Sequence, residues 1–352
     1  MFQSKFANYT VYTGIESLSM LNHYIGNRQF VILCDENTIL HCLPILKKWI
    51  NNIDESNVFV LPSGEENKNM TTVNNIWNWL LNKNVNSSNI IINLGGGVIT
   101  DIGGFAASTF HRGIPYIQIP TTLMGQVDAS IGNKNGVNFD KIKNCIGLFS
   151  SPLAVINYPG FIATLPIEQI RSGMGEVFKH ALIADKTYWE KLKTFNSASN
   201  EDLINMIAVS VEIKKTIIAL DPNDHGYRHI LNCGHTVGHA IESFFLAQGK
   251  TISHGEAVVA GILIESLLAV NIRKQSTEVF NEIFSTLIAL FPKINIINDD
   301  FQKIISFMNF DKKNSSKGIN FSLIEKIGTA SINNYITDIE LIKQSIFQYT
   351  QL

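Results

Sequence analysis

Along the 352-residue chain the spacing of apolar positions follows two rhythms, and the change between them falls near residue 160. Before it, short apolar, β-branched runs recur: FVILC from Phe30, VFVLP from Val58, IIINLG from Ile90, YIQIP from Tyr116 and AVINY from Ala154. The segments between them carry helical spacing. Over Asn69–Leu81, for example, Met70, Val73, Ile76, Trp77 and Leu80 fall on one face. Strands alternating with helices predict βαβ units and a largely parallel sheet. After Pro159 nearly everything to about residue 310 reads as amphipathic helix, including EDLINMIAVSVEIKKTIIAL and HGEAVVAGILIESLLAV. Two strand-like runs, INFSLI and ASINNYI, then flank Gly328 and suit a hairpin. The fold class predicted is α/β: a Rossmann-like parallel-sheet domain over residues 1–160, then a mainly α-helical domain over residues 161–352. Chain length agrees, because single hydrophobic cores stop growing near ~250 residues.

Composition narrows the partners. Hydrophobic residues make up 45% and charged residues 16%, with a formal charge of −2, so no electrostatic bias draws the chain to nucleic acid or an anionic membrane. Cations matter only where they cluster. The N-terminus, MFQSKFANYTVYTG, has no basic stretch ahead of an apolar core, and the later run AVVAGILIESLLAV is interrupted by Glu265 and Ser266. A cytoplasmic protein without a membrane anchor is expected. Cys34, Cys42, Cys145 and Cys233 form no CxxC pair and lie in apolar segments, which predicts reduced, buried thiols.

Three segments carry candidate chemistry. In IIINLGGGVITDIGGFAA an apolar strand runs into Gly95, Gly96 and Gly97 and then into a small-residue helix. Glycines let a backbone approach a pyrophosphate, and the helix N-terminus offers unpaired N–H groups and a positive dipole end. Thr100 stands where GxGxxG wants its last glycine, so a bare strand–helix turn explains the pattern equally well. Asp35, directly after FVILC, is either a ribose ligand or a helix cap, and the loop SGEENK is either a nucleotide contact or solvated. In LNCGHTVGHAIE, His235 and His239 share a helix face with Glu242 three residues further on; His254 precedes a second helix, and Glu176 lies in a third beside Lys179. Imidazoles with a carboxylate suit Zn(II) or Co(II), and three protein ligands leave positions open for substrate oxygens. Spacing leaves Glu176, His235, His239 and His254 all as candidates. The bland readings are an exposed helix charge for Glu176 and an ordinary core or surface histidine for His180. Finally, Lys134 and Lys143 flank GNKNGVNFDKIKN, read as a loop suited to phosphate, while Arg112, Lys214, Arg228, Lys312 and Lys313 are further scattered cations.

Together these segments resemble the 3-dehydroquinate synthases from about Asp35 to Gly328. SGEENK, GGGVITD, FHRG, PTTLMGQVDASIGNK, the pair Lys143–Asn144, GEVFKH, RHILNCGHTVGHAIE, HGEA and DKK carry the likeness. The resemblance implies a carbon–oxygen lyase of the shikimate pathway that turns 3-deoxy-D-arabino-heptulosonate 7-phosphate into 3-dehydroquinate with loss of phosphate, using NAD and a divalent metal, Zn or Co. It implies Glu176, His235 and His254 as metal ligands, with His239 turned to substrate. NAD would meet Asp35, Ser63, Gly64, Glu65, Glu66, Asn67, Lys68, Gly97, Val98, Ile99, Thr100, Asp101, Thr121, Thr122, Lys134, Lys143, Phe161, Ile162, Ala163 and Thr164. Substrate would meet Arg112, Asp128, Lys134, Asn144, Lys179, Lys214, Arg228, Asn232, His239 and one or both of Lys312 and Lys313. A homodimer is also implied. Departures from the family pattern are Asn133 and Asn135 around Lys134, where Gly and Thr are more usual, Thr100 for a Gly, and Asp224 for a Glu. Two other readings compete: a sugar phosphate cyclase acting on a substrate without a carboxylate, which Arg228 with Asn232 argues against, and a metal-dependent alcohol or glycerol dehydrogenase, which would release NADH.

Overall fold

A computed structural model of the chain describes residues 1–51, 53–140, 142–195, 199–308 and 317–352. The chain folds into two compact units, Met1–Pro166 with Ser197–Ala219, and Ile167–Asn196 with Leu220–Leu352.

The first unit is built on a seven-stranded sheet. In chain order its strands are β1 (Phe2–Lys5), β2 (Thr10–Thr13), β3 (Phe30–Asp35), β4 (Val58–Leu61), β5 (Ile90–Gly95) and β6 (Tyr116–Pro120), and, after the separate ribbon β7 (Lys134–Phe139) and β8 (Ile142–Phe149), β9 (Ala154–Asn157). The spatial order is β1-β2-β9-β6-β5-β3-β4. Every neighbouring pair is parallel except the antiparallel β1 and β2. The five apolar runs of the sequence are thus β3, β4, β5, β6 and β9. They are continuous rather than alternating because both faces of the inner strands are covered. On β3 and β5, Ile32, Cys34, Ile90, Ile92 and Leu94 pack into one core with Leu18, Leu21, Leu46 and Phe161. The intervening Val31, Leu33 and Ile91 pack into another core with Val73, Ile76, Ile102 and Phe105. The helices of this unit are α1 (Met20–Ile25), α2 (Glu36–His41), α3 (Leu43–Leu46), α4 (Met70–Asn82) and α5 (Gly97–Thr109), with α8 (Asn200–Leu220) returning from later in the chain. Asn69 starts α4 by accepting from the Thr72 N–H, and Val73, Ile76 and Leu80 form its buried face.

The segment GNKNGVNFDKIKN, expected as a loop, is instead the antiparallel ribbon of β7 and β8, with Lys134 opposite Phe149 and Phe139 opposite Ile142. Its strand signal is hidden because a polar residue occupies a buried position: Asn135 donates to the Tyr116 hydroxyl at 3.0 Å and the Ser150 carbonyl at 3.1 Å.

The second unit contains α6 (Ile167–Ala184), α7 (Lys186–Lys193), α9 (His235–Ala247), α10 (His254–Asn271), α11 (Thr277–Ile288), α12 (Phe301–Met308) and α13 (Ile339–Gln351). It also holds the expected hairpin, β10 (Ile319–Lys326) with β11 (Thr329–Ile336). Helix α10 packs against α6, α9 and α13. By length and hydropathy it passes for a membrane span, but 78% of that window is buried inside the unit, as a core helix is. Its neighbours come close enough to exclude side chains. A Cβ on Gly255 would lie 2.0 Å from the Ser172 carbonyl oxygen of α6, and one on Gly261 would lie 1.9 Å from the Gly234 oxygen at the start of α9. Cys34, Cys42 and Cys233 are buried, as the sequence predicts, whereas Cys145 is part-exposed.

Candidate functional site

The two glycine crossings bring three helices of the second unit together, and each supplies one polar group to the same point. Glu176 on α6 is fully buried and ion-paired with Lys179 one turn later, which rules out the reading of Glu176 as an exposed helix charge. His235 is the first residue of α9 and His254 the first of α10, where Ser253 accepts from the Glu256 N–H to start the helix. The Glu176 Oε1 lies 3.5 Å from His235 Nε2 and 3.4 Å from His254 Nε2. Donors bound about 2.0–2.2 Å from a tetrahedral ion stand roughly 3.4 Å apart, so the separations fit a divalent metal.

The far side of each imidazole is held as well. His235 Nδ1 meets the Cys233 carbonyl at 3.2 Å, and His254 Nδ1 meets Glu242 Oε2 at 3.0 Å. An acceptor at Nδ1 keeps a proton there and turns Nε2 toward the point of convergence. Burial, and then the Lys179 ammonium, drives the His235 pKa well below its usual value, leaving a neutral ring with a lone pair to give. Burial also opposes charge on His254, but Glu242 and Glu176 outweigh it and push that pKa up to about 10. With Nδ1 on Glu242, the Nε2 side of the ring faces the Glu176 carboxylate, a place that a cation suits. His239 belongs to the same cluster: its ring centroid is 5.0 Å from that of His235 and 5.7 Å from that of His254. One ligand atom from each of the three histidines lies within 4.8 Å of the others. His180, one turn beyond Glu176, is a fully buried core residue.

Arg228 is also in this unit, buried on the short helix Tyr227–Asn232 that carries Asn232. Its placement is organised by Asp221, whose carboxylate accepts from the His225, Gly226 and Arg228 N–H groups at 3.0, 2.7 and 3.1 Å. Asp224, the shortened acid, sits in that turn at φ +59°. Lys312 and Lys313 lie outside the described residues.

In the first unit β5 ends at Gly95 and α5 starts at Gly97, with Gly96 as a cap that has no side chain. The first N–H groups of α5 therefore face the end of the sheet without a side-chain acceptor at the cap position, which is the arrangement that receives a phosphate. Val98 and Ile99 form its first turn with Thr100, which is buried and folds its hydroxyl back on the Gly97 carbonyl at 3.1 Å. Asp101 follows on the same helix and binds Lys68 Nζ at 2.5 Å, and Asn144 Oδ1 binds the same ammonium at 2.5 Å. Burial opposes the charge on Lys68, but the Asp101 and Glu65 carboxylates outweigh it and raise its pKa. The SGEENK loop, Ser63 to Lys68, thereby ends on the helix that follows the glycines. Asp35 is seen as a helix cap, accepting from Asn37 and Thr38 N–H at 2.9 and 2.8 Å. Thr122 accepts from the Gly125 N–H at 3.0 Å, while Thr121 is buried beside it. Phe161, Ile162, Ala163 and Thr164 lie on the short helix Pro159–Thr164.

Lys214, on α8, donates to both the carbonyl and the carboxylate of Asp128, each at 2.6 Å. Lys134 and Lys143 are exposed on the ribbon, and Arg112 is exposed at φ +64°. Asn133, where Gly is more usual, has φ +66°. Asn is the non-glycine residue that enters this left-handed region most readily, so the departure preserves the backbone that Lys134 needs.

Spacing placed Glu242 on the helix face of His235 and His239 without giving it a role; the structure sets its carboxylate behind His254.

Comparisons with known proteins give the family of the chain. Residues 58–172 match the family described as 3-dehydroquinate synthase N-terminal, and residues 173–314 match 3-dehydroquinate synthase C-terminal. The chain is 36% identical to the 3-dehydroquinate synthase of Parabacteroides distasonis, with 90% of each chain covered, and 37% identical to that of Clostridium botulinum, with 92% of each covered. Among solved structures it is similar to 2-deoxy-scyllo-inosose synthase complexed with carbaglucose-6-phosphate, NAD+ and Co2+, at TM-score 0.85, 23% identity and 99% of each chain. It is also similar to 2-epi-5-epi-valiolone synthase from Streptomyces hygroscopicus with NAD+ and Zn2+ bound, at TM-score 0.84, 24% identity, and 100% of this chain and 99% of that one.

Proposed function

Because the chain belongs to the 3-dehydroquinate synthase family, we propose that Glu176, His235 and His254 hold its divalent metal, that NAD is held by the first unit, and that His239, Lys179 and Arg228 face the substrate. The enzyme converts 3-deoxy-D-arabino-heptulosonate 7-phosphate into 3-dehydroquinate and phosphate. The observation that carries the site assignment is the meeting of one carboxylate and two outward-anchored imidazoles at tetrahedral ligand spacing.

When bound, NAD accepts and returns a hydride, and the metal polarises substrate oxygens. The chain's own groups supply the rest. Glu176 and its partner Lys179 give a neutral pair, so Lys179 can turn an N–H to a substrate oxygen without a lone buried charge. Arg228 supplies a planar fork for the substrate carboxylate, and Asn232 a neutral hydrogen-bonding group. In the first unit, Arg112, Lys134, Asn144, Lys214 and Asp128 are assigned to the substrate in this reading, with Lys214 ion-paired to Asp128. NAD rests on the α5 N-terminus from Gly97 to Asp101, with Asp35, the Ser63 to Lys68 loop, Thr121, Thr122, Lys134, Lys143 and Phe161 to Thr164 around it. In this reading the enzyme works in the cytoplasm as a homodimer.

The test is incubation of purified protein with the heptulosonate phosphate, catalytic NAD and Zn(II) or Co(II), following phosphate and NADH together. Phosphate release with no net NADH, abolished by a chelator, is the expected result; stoichiometric NADH, or indifference to the chelator, refutes the reading. Glucose 6-phosphate, which has no carboxylate, serves as the control for a different cyclase.

Asp221 provides a pH-dependent check on how Arg228 is placed. The His225 N–H, and with it those of Gly226 and Arg228, hold the Asp221 pKa at about 2, below the usual 3.8. A depressed carboxylate stabilises the fold above its unfolded pKa and loses that effect as pH falls toward the folded value. The melting temperature of the parent should therefore fall toward that of Asp221→Ala between about pH 4 and pH 2. At neutral pH the same variant should raise KM for the heptulosonate phosphate more than it lowers kcat. An unchanged KM would detach Arg228 from substrate binding.

A further inference from the structure

Glu265, which interrupts the most apolar run of the sequence, takes no part in the proposed chemistry, yet it is 1% exposed in the middle of α10. Its carboxylate reaches the start of α9: Oε2 accepts from the Gly234 N–H at 2.7 Å and Oε1 from the Val237 N–H at 3.1 Å. Helix starts leave such N–H groups without partners, and a cap residue with a short polar side chain normally takes one of them. Gly234 cannot. It lies at φ +77°, and a Cβ there would stand 2.5 Å from Ile262 Cγ1 and 2.7 Å from the Val258 carbonyl oxygen. The acceptor comes instead from the neighbouring helix, one turn after Gly261, whose missing side chain lets the two backbones approach.

The N–H of Gly234 and the carbonyl of Cys233 are opposite ends of one peptide unit. That carbonyl is the group that meets His235 Nδ1 at 3.2 Å. The contacts therefore run from the Glu265 carboxylate, through the Cys233–Gly234 peptide, to the outer nitrogen of His235. His254 has the direct version, with Glu242 at 3.0 Å from its own Nδ1. A carboxylate on a peptide N–H strengthens the acceptor at the other end, because hydrogen bonds in series polarise one another.

We propose that Glu265 is a positioning residue of the metal centre, orienting His235 and raising its donor strength through the Cys233–Gly234 peptide as Glu242 does for His254 by direct contact. This rests on the assignment of His235 as a metal ligand. The groups behind a ligating histidine affect metal affinity about 10–100-fold.

The experiment loads metal-free protein with Co(II) and records the visible absorption bands and the Co(II) dissociation constant by chelator competition, with NAD affinity measured in parallel. Glu265→Gln keeps the side chain's size but loses charge and one acceptor, and should weaken Co(II) binding about tenfold and alter the Co(II) bands, with NAD affinity unchanged. Should that variant not fold, Glu265→Asp, which keeps the charge but withdraws it by one methylene, is read by the same criteria. Parent-like Co(II) affinity and bands in a folded variant would overturn the proposal, as would a purely thermal destabilisation. Glu176→Gln in the same series separates the two ideas: if it also leaves Co(II) affinity unchanged, the site assignment is wrong; if it alone abolishes binding, the failure belongs to Glu265.

Discussion

Glu176→Gln is expected to leave a protein that retains almost no divalent metal and releases phosphate at least about a thousandfold more slowly. Metal polarisation of a reacting oxygen contributes several kcal/mol, and about 4 kcal/mol is a factor of a thousand. The amide is nearly the same size, so packing around α6 is kept while the single anionic ligand between His235 Nε2 and His254 Nε2 is removed. A second effect is on stability. Glu176 is fully buried and Lys179 is 1% exposed, so the substitution leaves an ammonium in the interior without its carboxylate. Breaking a buried pair in this way costs about 3–5 kcal/mol. Adding Lys179→Met should restore much of that stability and none of the activity. Metal content by elemental analysis, phosphate release and denaturant unfolding separate the two effects. A stoichiometrically metallated Glu176→Gln protein would remove Glu176 from the ligand set.

Gly255→Ala should be comparably severe through packing alone. The new methyl would sit 2.0 Å from the Ser172 carbonyl oxygen and 2.6 Å from Ser172 C and Cα. These are backbone atoms of α6, so no rotamer change relieves the overlap, and the helices must separate. Overpacking costs about 1–3 kcal/mol, and this contact belongs at the upper end. For a unit of this size that lowers the melting temperature by roughly 6–12 °C. The displaced helices carry Glu176 and His254, so metal affinity should fall with stability. Gly249→Ala is the control: its φ of +72° brings backbone strain, but nothing lies within 4 Å of the position its methyl would take. Equal losses of metal affinity in the two variants would show that the α6–α10 contact does not set the effect.

The legible parts of the fold were those where one burial pattern ran unbroken. The β3, β5, β6 and β9 runs stood out because these inner strands are covered on both faces, and α4 because its apolar positions recur at helical spacing. The β7–β8 ribbon was missed since Asn135, polar by composition, is buried by virtue of its bonds to Tyr116 and Ser150, which are distant in sequence. The four-residue strands β1 and β2 are too short for periodicity to register.

The same distinction holds for the candidate site. Residue types announced metal and anion chemistry, and the glycines announced close backbone approach. Spacing did not choose among Glu176, His235, His239 and His254, since three separate helices bring them together. Glu242 was visible only as an acid on the face of His235 and His239, with no partner assigned, and Glu265 only as an acid in an apolar run. Their partners, His254 on the next helix and the Gly234 N–H on the previous one, are contacts between helices that no local pattern encodes.

The return of α8 to the first unit has a consequence for synthesis. Residues 1–166 emerge from the ribosome with the whole seven-stranded sheet, but Lys214, which holds Asp128, follows only after α6 and α7 of the second unit have been made. At about 5–20 residues per second that interval is several seconds. The ion pair of Asp128 with Lys214 therefore forms only after the sheet is complete, and a nascent chain stalled before α8 should expose the surface that this helix covers.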